Sequence, residues 1–171
     1  MINLLSKKEA FLLVQPQYRI HMNKKKLVLW RGENLLMVLG RMKSFLGKMV
    51  KIDQGYQEAG VGWLLDIYDD YLVLLTEEDK VVYYNNDHIE SVTENTKEFN
   101  IVFPEDIEYD KANNLLNLLE NQKLKWVKIN SDGPVKIAGV LYDVNNDIIS
   151  LIYDEEIVYV SFNHLHNISI D

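Results

Sequence analysis

Apolar positions recur in two rhythms along the chain. Leu35, Val38, Leu39 and Met42 are spaced three, four and seven apart, which marks one face of a helix. From Lys48 the rhythm changes to short alternating runs separated by Gly, Asn and Asp. These predict strands at Lys48–Asp53, Val61–Tyr68, Tyr71–Thr76, Lys80–Tyr84 and Ile89–Thr93. Asp69-Asp70 and Glu77–Asp79 read as hairpin turns, and Asn85–His88 as a tight step before the last strand.

The same order is written again further on. A shift of 77 sets Lys48-Met-Val-Lys-Ile52 on Lys125-Trp-Val-Lys-Ile129, and Gly62-Trp-Leu-Leu-Asp66 on Gly139-Val-Leu-Tyr-Asp143. After one residue drops out near Glu77–Asp79, a shift of 76 sets Val82-Tyr83 on Val158-Tyr159 and His88-Ile89 on His164-Leu165. The helical face returns as Ala112, Leu115, Leu116 and Leu119, with Asn34 and Asp110 as candidate caps for two helices of about three turns. The second strand set is Trp126–Asn130, Ile137–Val144, Ile148–Tyr153, Ile157–Val160 and Leu165–Ile170. The turn at Asn145-Asn146-Asp147 suits residues that tolerate positive φ.

A helix followed by five short strands, with a tight step before the fifth, predicts a mainly β chain with short helices. Its expected form is a tandem of duplicated small SH3-like or Sm-like β-barrels packed on one another, each preceded by a helix. The expected organisation is an N-terminal segment 1–32, a first unit 33–95, a connection 96–109 and a second unit 110–171. Within the N-terminal segment, Phe11–Val14 and Leu27–Trp30 make a candidate hairpin closing an edge of the first barrel. Phe99, Ile101, Val102 and Phe103 give the connection the look of a strand.

Composition narrows the chemistry. The 171 residues hold 26 acidic against 18 basic side chains, a net charge of −8. Such a surface disfavours nucleic acid, and Lys24-Lys25-Lys26 is the one basic run against the trend. No cysteine is present, so disulfides, thiolate metal sites and cysteine nucleophiles are excluded. No apolar run approaches a membrane span, and Phe11–Val14 is too short for a signal peptide's apolar stretch, so export by that route is not expected.

The histidines are the first residues to weigh for catalysis. His88 and His164 hold the same place in the two copies, with no shared nucleophile beside them, so they read as turn or core residues. His166 shares a strand face with His164, but copy one has Glu90 there, and two histidines do not specify zinc. The acidic groups Asp69-Asp70, Glu77-Glu78-Asp79, Glu105-Asp106 and Asp154-Glu155-Glu156 sit mostly at turns and read as solvated. The glycines between Gly55 and Gly62 join strand to strand, which does not make a phosphate loop. No catalytic residue, cofactor or metal ligand is therefore expected. The aromatic residues favour a protein-binding surface, with Tyr84, Phe162, Trp63 and Tyr142 as candidate partner contacts.

Lys125-Trp-Val-Lys-Ile129, Asp132-Gly-Pro134, Gly139-Val-Leu141 and Val81-Val-Tyr-Tyr84 through His88-Ile-Glu-Ser-Val92 together resemble the repeat region of the spore coat protein B family of Bacillus-type endospore formers. The resemblance runs from about Leu35 to Ile170. It departs at Gly55-Tyr56-Gln57, where the family turn has Gly-Gly-Pro. The Ser/Lys/Arg-rich tail of the best-known members does not follow Asp171, so the phosphorylation associated with that tail is not carried over. The resemblance implies a non-enzymatic coat component made in the mother-cell cytoplasm. Its implied partners are other coat proteins; the acidic surface adds basic ones among them, and a homo-oligomer but no membrane contact is also expected. The competing expectation is an Sm-like or SH3-like module that binds a ligand or nucleic acid.

Overall fold

The computed structural model describes residues 42–53, 60–78, 80–89, 91–94, 107–131 and 136–171. The expected N-terminal hairpin, Leu35 to Leu39 of the first helix, most of the glycine-rich loop, the apolar part of the connection and the turn at 132–135 lie outside these residues.

Ten strands form. In the first half they are β1 (Met49–Ile52), β2 (Gly60–Ile67), β3 (Tyr71–Thr76), β4 (Val81–Asn85) and β5 (Val92–Glu94). A helix, α1 (Leu115–Glu120), opens the second half. It is followed by β6 (Trp126–Ile129), β7 (Ile137–Val144), β8 (Ile148–Tyr153), β9 (Glu156–Ser161) and β10 (Asn167–Ile170). The two tight steps are 3-10 turns, Asn86–His88 and Phe162–His164. Ile89 and Leu165 leave those turns with buried side chains before the final strands begin, so β5 and β10 start later than the alternation suggested.

All ten strands belong to one antiparallel sheet, in the order β5-β1-β2-β3-β4-β10-β6-β7-β8-β9. The order fifth, first, second, third, fourth therefore appears twice in succession. The expectation of two closed barrels is corrected here: the sheet is not closed. The outer edge of β4 is taken up by β10, with Tyr83 opposite Ile168 and Tyr84 opposite Asn167. Alternating main-chain groups of β4 are thereby satisfied across the copies, which removes an edge from the middle of the molecule.

Matching irregularities mark both halves. A bulge interrupts β2 between Leu64 and Asp66, and another interrupts β7 between Leu141 and Asp143. Asp53 and Asn130 both take left-handed backbone, with φ of 55° and 53°. Each side chain then accepts from the segment entering the last strand. The Asp53 carboxylate takes the Ser91 N–H at 2.8 Å, and the Asn130 amide oxygen takes the His166 N–H at 2.9 Å. Gly47 and Leu124 are a third matched pair, at φ 71° and 70° just before β1 and β6. Their N–H groups donate to the carbonyls of Leu64 (2.9 Å) and Leu141 (2.7 Å). Leu124 is 76% exposed and carries a conformation that disfavours a Cβ. Leu124→Gly is expected to stabilise the fold by about 0.5–1 kcal/mol, read as a higher urea midpoint at unchanged slope.

The helix is shorter than its apolar spacing predicted. Asn114 caps it, its side chain accepting from the Asn117 N–H at 2.7 Å, and Asp110 lies ahead of it outside any helix. The peptide groups of Asp110 and Ala112 are held by tyrosine hydroxyls of the first half instead of entering a helical ladder. The turn at Asn145 also differs from expectation. Its residues are not among those with positive φ; the Asn145 side chain accepts from the N–H groups of Asp147 and Ile148, both at 2.9 Å.

Two cores result. Met42, Phe45, Val50, Ile52, Leu64, Leu72, Leu74, Val82, Tyr84, Ile89 and Val92 fill the first half. The second core gathers α1 and the inner faces of β6 to β10, and it also includes Tyr71, Val73 and Tyr83 from the first half. β3 is thus buried on both faces, which explains why Tyr71 to Leu75 is an unbroken apolar run.

Candidate interaction surface

The joint between the halves is built from backbone first. The N–H of Asn85 donates to the His166 carbonyl at 2.9 Å, and the Asn85 side-chain amide donates to the Leu165 carbonyl at 3.0 Å. Asn85 is buried, and these bonds occupy polar groups that burial would otherwise leave unpaired. Beside them the rings of His88 and His166 stack at 4.4 Å and 11°. Sequence repetition pairs His88 with His164; the fold brings it to His166 instead. Among the described residues no group of three His, Cys, Asp or Glu side chains is placed to hold a metal ion.

Side chains of the first half pin the chain that leads into α1. The Tyr71 hydroxyl donates to the Ala112 carbonyl (2.8 Å) and accepts from its N–H (3.1 Å). The Tyr83 hydroxyl does the same for Asp110, at 3.2 Å and 3.0 Å. Tyr68 stacks on Tyr71 at 4.3 Å and donates to the Asp66 carboxylate, which also accepts from Tyr109 at 3.2 Å. Lys111 lies 3.7 Å from the same carboxylate and over the Tyr109 ring. Burial pushes the phenols of Tyr68, Tyr71 and Tyr83 above their ordinary range, so they act as neutral hydrogen-bonding groups.

Asp70, in the β2–β3 turn, reaches the start of α1. One carboxylate oxygen accepts from the Leu115 N–H at 2.9 Å, while the other is buried without a partner. Burial raises this carboxyl above its ordinary value, and the Leu115 bond only partly opposes it. The folded state therefore binds the proton more readily than the unfolded chain. The stability contributed by Asp70 is present below the unfolded value and is lost as pH rises through the folded one. Asp70→Asn is expected to match or exceed the wild-type melting temperature at pH 7 and to flatten its decline from pH 4 upward. Asp70→Ala removes the acceptor and is expected to cost about 1 kcal/mol. Calorimetry of the three proteins between pH 4 and 7 checks both.

The outward face of the second half is the candidate surface. Tyr142 (52% exposed), Ile148 (41%), Ile157 (48%) and Tyr159 (67%) lie on β7, β8 and β9. By the offsets of 77 and 76 they stand where the first half has Leu65, Tyr71, Val81 and Tyr83, all packed into the second core. One half presents to solvent the face that the other buries.

Of the four candidate contacts read from sequence, Tyr142 lies on this face. Tyr84 is 4% exposed and belongs to the first core, with its hydroxyl against Gly60, so it offers no contact surface. Alternation alone could not distinguish it from Tyr83, because β4 is covered on both sides. Phe162 is half-buried against the second core, and Trp63 is half-buried on β2. Ile148, Ile157 and Tyr159 were missed, because their mismatch in environment with Tyr71, Val81 and Tyr83 is seen only once the sheet order is known. Most of the described turn carboxylates, Asp69, Glu77, Glu78, Asp154, Glu155 and Glu156 among them, are exposed as expected. Among the described residues no helix is long and apolar enough to cross a membrane.

No family model matches the chain. Spore coat protein B of Bacillus subtilis (strain 168) is similar to it, with 30% identity over 125 residues, or 73% of this chain. The match takes in 33% of that protein, so the chain spans about a third of its relative's length. The resemblance read from the paired motifs therefore holds as kinship: this chain is a relative of spore coat protein B.

Proposed function

We propose that the chain is a non-enzymatic structural component of the endospore coat that works through protein–protein contacts. One observation carries the reading. Tyr142, Ile148, Ile157 and Tyr159 form an exposed apolar face beside a strand edge, at the positions that hold the two halves together in the first copy. Exposed tyrosine and aliphatic side chains of this kind suit a protein partner. Kinship with spore coat protein B supplies the setting, other coat proteins as partners and the coat as location.

In this reading each half is a small SH3-like or Sm-like unit, a reading supported by the repeated strand order and the 3-10 turn before each last strand. The exposed carboxylates Asp147, Glu155 and Glu156, at the turns that join these strands, favour basic coat proteins over phosphate backbones. Deleting the gene in a sporulating host tests the proposal. A coat of altered composition or layering, with the protein recovered from the coat fraction, is expected. An unchanged coat, with the protein confined to the vegetative cytosol, overturns it.

A further inference from the structure

We propose that the chain associates head to tail with further copies of itself, β9 of one copy pairing antiparallel with β5 of the next in the register of the β4–β10 joint. The inference rests on the structural-component reading for its purpose and on the internal joint for its geometry.

Within one chain, β4 and β10 already show the contact. β9 corresponds to β4, and β5 to β10, at the single offset of 76. Among the described residues β9 pairs only with β8, and β5 only with β1. The main-chain groups on their outer edges alternate in the same phase as those of the joint. In β4, Asn85 bonds outward to His166 while Asn86 bonds inward to Asp70. In β9 the counterpart of Asn86 is Phe162, which bonds inward to Asp147. Ile157, Tyr159 and Ser161 therefore carry the outward groups, as Val81, Tyr83 and Asn85 do. On the other side, Ser91 is bonded inward by Asp53, and Asn167 by Asn130, so Val92 and Glu94 face outward as Ile168 and Ile170 do. Setting Tyr159 opposite Val92 repeats the pairing of Tyr83 with Ile168.

Side chains follow the same register. Tyr142, Ile148, Ile157 and Tyr159 are the counterparts of the residues that the joint buries, and they are 41–67% exposed. Two substitutions weaken the copy: Ile148 replaces the Tyr71 hydroxyl, and Ser150 replaces Val73. The contact between chains is therefore weaker than the joint within one and depends on protein concentration. Because the two edges differ, each addition leaves the same pair of edges free, and growth continues to a ring or a filament.

Sedimentation velocity on the full chain, from low micromolar to several hundred micromolar, tests this together with two edge variants. Tyr159→Pro removes an outward N–H that β8 does not use, and Glu94→Pro does the same on β5. The wild type is expected to grow with concentration past two chains. Each variant alone is expected to stay monomeric, since either change blocks every β9–β5 contact between identical copies. Mixed, they are expected to form a one-to-one pair and nothing larger, because each retains the edge the other lacks. Tyr159→Lys, which keeps the N–H, is expected to weaken growth at least ~10-fold and covers the case in which the proline variants do not fold. A wild type that stays monomeric, or that stops at two chains, overturns the proposal, as does growth that survives Tyr159→Lys. A monomeric chain beside a damaged deletion coat sinks only this inference; self-association beside an unchanged coat sinks only the coat reading.

Discussion

Tyr71→Phe combined with Tyr83→Phe is expected to lower stability by roughly 2–4 kcal/mol, because four main-chain groups lose their partners while both rings stay in place. Each hydroxyl serves the N–H and the carbonyl of one residue, Ala112 for Tyr71 and Asp110 for Tyr83. Both rings are buried, so water replaces the lost bonds poorly. The stacking of Tyr68 on Tyr71 is retained, which isolates the hydroxyls as the cause. For a chain of this length the melting temperature should fall by about 5–15 °C. The exposed Tyr142 provides the control: Tyr142→Phe is expected to change stability by less than about 0.5 kcal/mol. Urea titration followed by far-ultraviolet circular dichroism checks both variants, and a thermal melt checks the temperature. A double variant within 1 kcal/mol of wild type shows that the chain into α1 is not held by the first half.

Gly62→Ala is expected to cost about 3 kcal/mol or more through overpacking, and Gly139→Ala less, about 1–2 kcal/mol. A Cβ at Gly62 would lie 2.2 Å from the Leu75 carbonyl oxygen and 3.0 Å from the Leu74 side chain. Backbone is what it meets, in a strand buried on both faces, so relief requires β2 and β3 to part. At Gly139 the corresponding oxygen, on Ile152, is 2.7 Å away, and β8 has solvent on one side into which it can shift. Equal costs at the two glycines would contradict this difference between the halves. Because one sheet runs through both, Gly62→Ala is also expected to lower the transition seen by Trp126, in the second half, together with that seen by Trp63 in the first.

Local patterns carried most of the strand assignment. The hairpins at Asp69-Asp70 and Asn145–Asp147, the 3-10 steps and eight of the ten strand positions follow from alternation and turn residues that act over a few positions. Less visible was everything decided between distant segments. Val81-Val-Tyr-Tyr84 and Ile157-Val-Tyr-Val160 look like one stretch written twice, yet Tyr83 is buried and Tyr159 is not. The difference lies in what covers each strand, and no spacing records that. The apolar run Tyr71–Leu75 was the available hint, since a strand with one wet face has no reason to be apolar at every position, and its copy has Ser150 at the third place. The left-handed Asp53 and Asn130 were invisible for a related reason. Their side chains are fixed by amides 36 to 38 residues away. The helix was overread because Ala112 continues its apolar spacing, while Tyr71 from the other half holds that residue's peptide group outside the helical ladder.

The account depends on one continuous open sheet, joined in its middle by β4 and β10. Amide hydrogen exchange of the full chain at concentrations below self-association measures that joint directly. The Tyr83, Asn85 and Ile168 amides, which face across it, are expected to be protected to the same degree as those of β3, while the Tyr159 amide on the outer edge of β9 exchanges at least ~100-fold faster. Exchange of Tyr83, Asn85 and Ile168 at the rate of Tyr159 would contradict the joint, and with it the continuous sheet.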